Sequence, residues 1–182
     1  MKLIKNIKEK VGYIILNSDL KARKRIVTFN NFTSSSTVGI IFDAVNKENY
    51  HIARDFMAYV EESGARVFSI GFVPKSELIG YLPFKKGIDY FGLDKELWYG
   101  KAQSSVVDEF IERPFDILID LSLSNLFSIE YIFALSKAKF KICNDSPKTK
   151  YADFFLQLKK PENLEQYIEQ IKHYLEVIEP KK

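Results

Sequence analysis

The stretch Phe115-Asp-Ile-Leu-Ile-Asp-Leu-Ser-Leu-Ser-Asn-Leu-Phe-Ser-Ile-Glu-Tyr-Ile-Phe-Ala-Leu-Ser-Lys-Ala-Lys-Phe-Lys-Ile-Cys143 decides the fold class. Asp116–Asp120 is an apolar run tipped by an acid, as a strand covered on both faces requires. Ser122, Ser124 and Asn125 make a polar corner, 127–137 reads as an apolar helix, and Phe140–Cys143 is a second buried strand. Strand, helix and strand in so short a span form a parallel crossover, and such crossovers are right-handed. Fold class is therefore legible here, whereas activity is not.

The same pattern occurs upstream. Val38–Phe42 is a continuous apolar run followed by Asn46, a good N-cap for a helix with Tyr50, Ala53, Phe56, Met57 and Val60 on one face. Gly64 ends that helix, and Ala65–Phe72 gives the next strand. Between these and the deciding stretch, 75–81 is expected as a short helix and Ile88–Phe91 as a strand. An aromatic loop over 94–103 and a helix over 104–112 follow, the latter stopped by Pro114. Downstream, 151–158 reads as a last strand. Pro161 opens a final helix whose stripe is Leu164, Tyr167, Ile168, Ile171, Leu175 and Ile178, with Lys181 and Lys182 as a tail. These elements imply one doubly wound α/β domain over 26–180, a mostly parallel sheet of about five or six strands in a Rossmann-like or flavodoxin-like three-layer sandwich.

Residues 1–25 stand apart. They carry eight Lys/Arg against Glu9 and Asp19, a local charge of +6, while the whole chain is only +3. Leu3, Ile4, Ile7, Val11, Ile14 and Ile15 fall on one helical face, so this basic amphipathic helix either packs on the body or lies on an anionic membrane surface. Ile26–Phe29 is expected as a short strand after it, and 33–37 as a polar turn.

Composition narrows the function classes. At 182 residues with 46% apolar side chains, the chain supports one sizeable core. Its single Cys143 allows no internal disulfide, and neither a secretory signal nor an apolar run of spanning length is visible, which points to the cytoplasm. Metal chemistry lacks paired ligands, since His51 and His173 sit alone on solvated helix faces. No glycine-rich phosphate loop and no nucleophile elbow is present, so no cofactor is expected. The aromatics of 81–99 alternate with Lys85, Lys86 and Lys95, but Asp89, Asp94 and Glu96 would repel a phosphate backbone. Nucleic acid is accordingly not expected. A protein partner or a small molecule is.

In an open parallel sheet, ligands bind beyond the carboxyl ends of the strands where strand order reverses. Three strand ends carry suitable groups: Asp43 with Asn46; Asp120 with Ser122 and Ser124; and Asn144, with Lys148 and Lys150 nearby. If the order reverses between the first and fourth strands, Asp43 and Asp120 face one another across a crevice. The competing reading gives these residues only helix caps and tight turns.

Phe115–Ser122 with Ala134–Cys143 resembles the crossover in the N-terminal domain of heptosyltransferase-type glycosyltransferases. The whole chain also resembles a family of small bacterial α/β proteins of unknown function that share the aspartate-leucine-serine corner and the closing amphipathic helix. The first resemblance implies a partnered or degenerate sugar-transfer enzyme using a nucleotide sugar, with Asp43, Asp120 and Ser122 lining its pocket. The second implies a fold and no particular activity, and the leading expectation is a non-enzymatic accessory or binding protein that uses either the strand-end crevice or the N-terminal arm. The chain departs from the transferases by having no second nucleotide-fold domain, and Asp43-Ala-Val-Asn46 replaces their glycine-rich turn.

Overall fold

A computed structural model describes residues 2–158 and 163–177, with side chains from residue 7 onward. Its six strands are β1 (Thr37–Asp43), β2 (Arg66–Val73), β3 (Ile88–Gly92), β4 (Ile117–Asp120), β5 (Phe140–Asn144) and β6 (Phe154–Leu156). They form one sheet in the order β3-β2-β1-β4-β5-β6, every neighbouring pair parallel. The chain starts at the centre, winds outward through β3, then returns to β4 beside β1 and winds the other way. Strand order reverses between β1 and β4, which are in register from Val38 opposite Ile117 to Ile41 opposite Asp120. The doubly wound α/β architecture expected from the sequence is what forms.

Helices α2 (Lys47–Glu62) and α5 (Leu164–Val177) cover one face, and α3 (Ser105–Glu112) and α4 (Phe127–Leu135) the other. In α2 the buried residues are Tyr50, Ala53, Phe56, Met57 and Val60, the expected stripe, each large one contributing about 1.5–3 kcal/mol of burial. Asn46 Oδ1 accepts from the Asn49 amide at 3.1 Å, and Gly64 takes φ +94 after the helix, where only glycine is unstrained. The expected α5 stripe is buried from Leu164 to Leu175. Pro161, Ile178, Lys181 and Lys182 lie outside the described residues. Helix α4 has no polar face: Ser128 to Leu135 are all buried, because a fifth helix lies over it.

That helix is α1 (Lys2–Lys21), and it settles against the body with Ile7 and Ile14 of the expected stripe left outside and Val11 and Ile15 half-buried, the side chains of Leu3 and Ile4 lying outside the described residues. Ile7 and Ile14 stay exposed, while Leu16 is fully buried and Tyr13 and Leu20 pack beside it. The reason is local. A Cβ on Gly12 would lie 2.8 Å from the Tyr99 carbonyl and 2.9 Å from the Phe127 ring, so only glycine lets the helix come this close. On the same face Tyr13 donates to Glu130 at 2.8 Å, and Tyr131 donates to Asp19. Gly12→Val should therefore lift α1 from α4, costing about 1–3 kcal/mol and accelerating tryptic cleavage within residues 2–21. An unchanged melting temperature and cleavage rate would contradict this docking.

Residues 22–36 pass under the amino ends of β4 and β5 to the opposite face, where Phe32 enters the α2 core. Ile26–Phe29 is not a strand here, and it holds the sheet by the Thr28 amide on Lys139 O and by the Phe29 ring against Phe140. The expected helix over 75–81 is a 3-10 turn (Ser76–Tyr81), and the expected strand over 151–158 shrinks to β6, preceded by a 3-10 turn (Pro147–Tyr151). Asp116 anchors this underside, its Oδ2 accepting from the Ser36 and Thr37 amides and its Oδ1 from Lys139 at 2.8 Å. Burial would raise its carboxyl, but the Lys139 ammonium and these amides more than offset that and hold it below the usual range.

Candidate functional site

The carboxyl tip of β4 closes on itself. Asp120 is completely buried and forms an ion pair with Lys148, itself 1% exposed. Lys148 is carried there by the turn after β5, where Ser146 Oγ accepts from its amide at 3.3 Å. Its ammonium also donates to Ser124 O at 2.6 Å and to Ser122 Oγ at 3.4 Å. Asp120 Oδ1 accepts from the Ser122 amide at 2.9 Å, and Ser122 Oγ accepts from the Ser124 amide. The corner thus wraps around an ammonium group. Leu123, at its apex, takes φ 48, the left-handed region, at a cost of about 1–2 kcal/mol that the surrounding bonds offset.

The structure therefore brings Asp120, Ser122 and Ser124 together around Lys148 and leaves Asp43 and Asn46 apart. Asp43 is half-buried, and its Oδ1 accepts from the Val45 amide at 2.8 Å, a tight turn. Asn46 serves α2. The strands are neighbours as expected, but Asp43 and Asp120 do not share an open crevice, because Ile41 rather than Asp43 stands opposite Asp120 and Lys148 fills the space at its carboxylate. Nor do the corner residues cap α4, whose N-cap is Leu126 without a side-chain bond. Asn144 is 3% exposed, with no hydrogen-bond partner for its Oδ1 among the described residues. Burial pushes the neighbouring Cys143 thiol up to about 12, with the nearby Asp120 charge adding to the effect, so it behaves as a small apolar side chain. The Tyr167 phenol, wholly buried beneath β4 and β5, is held well above its ordinary value by desolvation. His51 and His173 are exposed.

An open pocket of about 550 Å³ lies beside this closed corner, between α1, the loop after β3 and the start of α4. Tyr13, Tyr99 and Phe127 supply aromatic walls, with the Tyr13 and Phe127 rings edge to face at 5.1 Å. Lys8 and Glu96 approach each other across the mouth at 4.0 Å. At the base is Glu130, 3% exposed, held between the Tyr13 hydroxyl and the Lys150 ammonium at 3.0 Å. Burial, then the Glu130 hydrogen bond, pushes the Tyr13 phenol up to about 12, so it stays a donor at neutral pH. Helix α4 begins in this wall. The amides of Phe127, Ser128 and Ile129 have no partner among the described residues, and Ser128 Oγ, 1% exposed, has none either. First-turn amides are free at any helix start, but buried side-chain polar atoms are nearly always satisfied, and the Ser128 hydroxyl is an exception.

Sequence reasoning passed over Tyr13, Ser128 and Glu130. One signal was available: Glu130 is the only charged residue in the apolar run Phe127–Leu135, and a lone carboxylate in such a helix needs a partner. A second, wider groove of about 670 Å³ runs between the end of α1, α3 and α4. Within it Glu112 takes Arg23 at 2.6 Å and Lys137 at 2.5 Å.

The chain belongs to the family of unknown function DUF6913, whose model matches residues 8–178 and so takes in most of α1 and residues 22–36 as well as the sheet. No curated protein matches it. Among the described residues, no helix is long and apolar enough to cross a membrane.

Proposed function

We propose that this protein is a non-catalytic binding domain that takes a small ligand in the pocket at the start of α4. Ser128 carries the reading: a buried hydroxyl without a partner, beside unpaired helix amides, in the wall of a preformed cavity of ligand size. The ligand presents a hydrogen-bond acceptor to Ser128 and the α4 amides and a flat or apolar portion to Tyr13, Tyr99 and Phe127. The closed corner behind the pocket supports binding over sugar transfer. A general base must reach the proton it removes, and the Asp120 carboxylate is enclosed and neutralised by Lys148. The lone buried thiol of Cys143 fits a reducing compartment, and the cytoplasm is the location that goes with this reading.

Thermal-shift screening of the wild type against nucleotides, nucleotide sugars and small carboxylates tests it, since a ligand that binds the native state raises the melting temperature. At least one class is expected to stabilise the protein. Ser128→Ala should keep the unliganded melting temperature within about 2 °C and weaken that ligand about five- to tenfold, the loss of one hydrogen bond. Flat curves across all three classes would remove the reading. Release of a nucleoside diphosphate from a nucleotide sugar would replace it with the transfer enzyme.

A further inference from the structure

Ile7 and Ile14, the part of the stripe that stays exposed, point to a second surface. Ile7, Lys10, Ile14, Asn17 and Lys21 lie within an arc of about 80° on α1, given 100° per residue, and all five are exposed. Ile7 and Ile14 are 50% and 67% exposed, although α1 is packed on the body by its other side. No acidic residue lies in the stripe, and Glu9 stands on the opposite side of the helix. The basic residues of this segment whose side chains are described divide into two groups. Lys8, Arg23 and Arg25 are engaged with Glu96, Glu112 and Asp153, and the two arginines also hold Leu135 O, at the end of α4, and Ala138 O beyond it. Lys10, Lys21 and Lys24 have no ion-pair partner among the described residues. Beyond the helix, Ile26 and Val27 are 80% and 56% exposed directly after Lys24 and Arg25.

We infer that this outward face of α1 rests on an anionic lipid surface, lying in the interface without crossing it. Apolar side chains alternating with unpaired lysines match a surface that offers acyl chains beneath negatively charged headgroups. A folded acidic protein would complement the lysines but gives isolated isoleucines no apolar layer to enter. The inference uses residues on the far side of α1 from the pocket wall, so either can fail without the other.

Co-sedimentation of the full chain with vesicles tests it. Equal parts of phosphatidylcholine and phosphatidylglycerol should retain the wild type at low salt, and pure phosphatidylcholine should not. Lys10→Glu/Lys21→Glu should lower the partition constant at least tenfold. Ile7→Ser/Ile14→Ser should lower it several-fold, and both variants should melt with the wild type because these side chains face outward. Ser128→Ala should bind vesicles normally. Equal retention by neutral and anionic vesicles, or an unchanged partition constant in the charge-reversed variant, would overturn the inference. So would a dimer in sedimentation equilibrium that the Ile7→Ser/Ile14→Ser variant dissolves, since the stripe would then meet a second copy of the chain.

Discussion

Lys148→Met should lower the free energy of unfolding by about 3–5 kcal/mol, because it leaves the Asp120 carboxylate buried with no counter-ion. That is a large share of the 5–15 kcal/mol typical of a folded domain. The methionine has nearly the volume of the lysine, so the loss measures charge more than cavity. It also releases Ser124 O and Ser122 Oγ, the two groups that hold Leu123 in its left-handed conformation. Asp120→Leu/Lys148→Met should regain most of the loss and come within about 2 kcal/mol of the wild type, since an apolar pair avoids desolvating two charges. Urea denaturation of the three proteins decides the matter. Equal midpoints for the wild type and the single variant would mean that Asp120 is hydrated, and the corner would then be open to a substrate after all.

How much of this was legible in the sequence depended on how local the cause was. The stripes of α2 and α5 were readable because a period of 3.6 and a nearby cap or glycine act within one element. The neighbouring of β1 and β4 was readable from topology rules, since two crossover units in one open sheet leave few strand orders. The packing face of α1 was not. Counting hydrophobicity chose Ile7 and Ile14, but a close approach at Gly12 and two tyrosine–carboxylate bonds chose the other side. The corner failed as a site for a similar reason. Asp120, Ser122 and Ser124 stand together at one strand end in the sequence, with Lys148 beside the next strand, but only the fold puts its ammonium inside the corner. Short or edge elements, such as β6 and Ile26–Phe29, carry too few residues for a pattern and are set by what they pack on.

Lys141 gives the protein an unusual dependence on pH. Its side chain lies on β5 under the end of α4, 2% exposed, donating to Ala134 O at 2.8 Å. Burial, reinforced by Arg25 and Arg23 and opposed by Asp153, lowers its ammonium from 10.5 to about 7. Between about pH 7 and 10.5 the unfolded chain therefore holds a proton that the folded chain does not, so stability rises with pH across that window. Below about pH 7 both states are protonated and the penalty for a buried charge is fully present, on the order of a few kcal/mol. Lys141→Met removes the titrating group and leaves Ala134 O without its donor, a constant loss of about 1 kcal/mol. The variant should thus be more stable than the wild type at pH 6, with the advantage shrinking as pH rises until the two are about equal near pH 10. Groups that titrate elsewhere act on both proteins alike and cancel in the difference. Parallel curves from pH 6 to 10 would show that Lys141 keeps its charge when folded, and the end of α4 would then be capped by two cations, Lys141 on Ala134 O and Arg23 on Leu135 O, at every pH in that range.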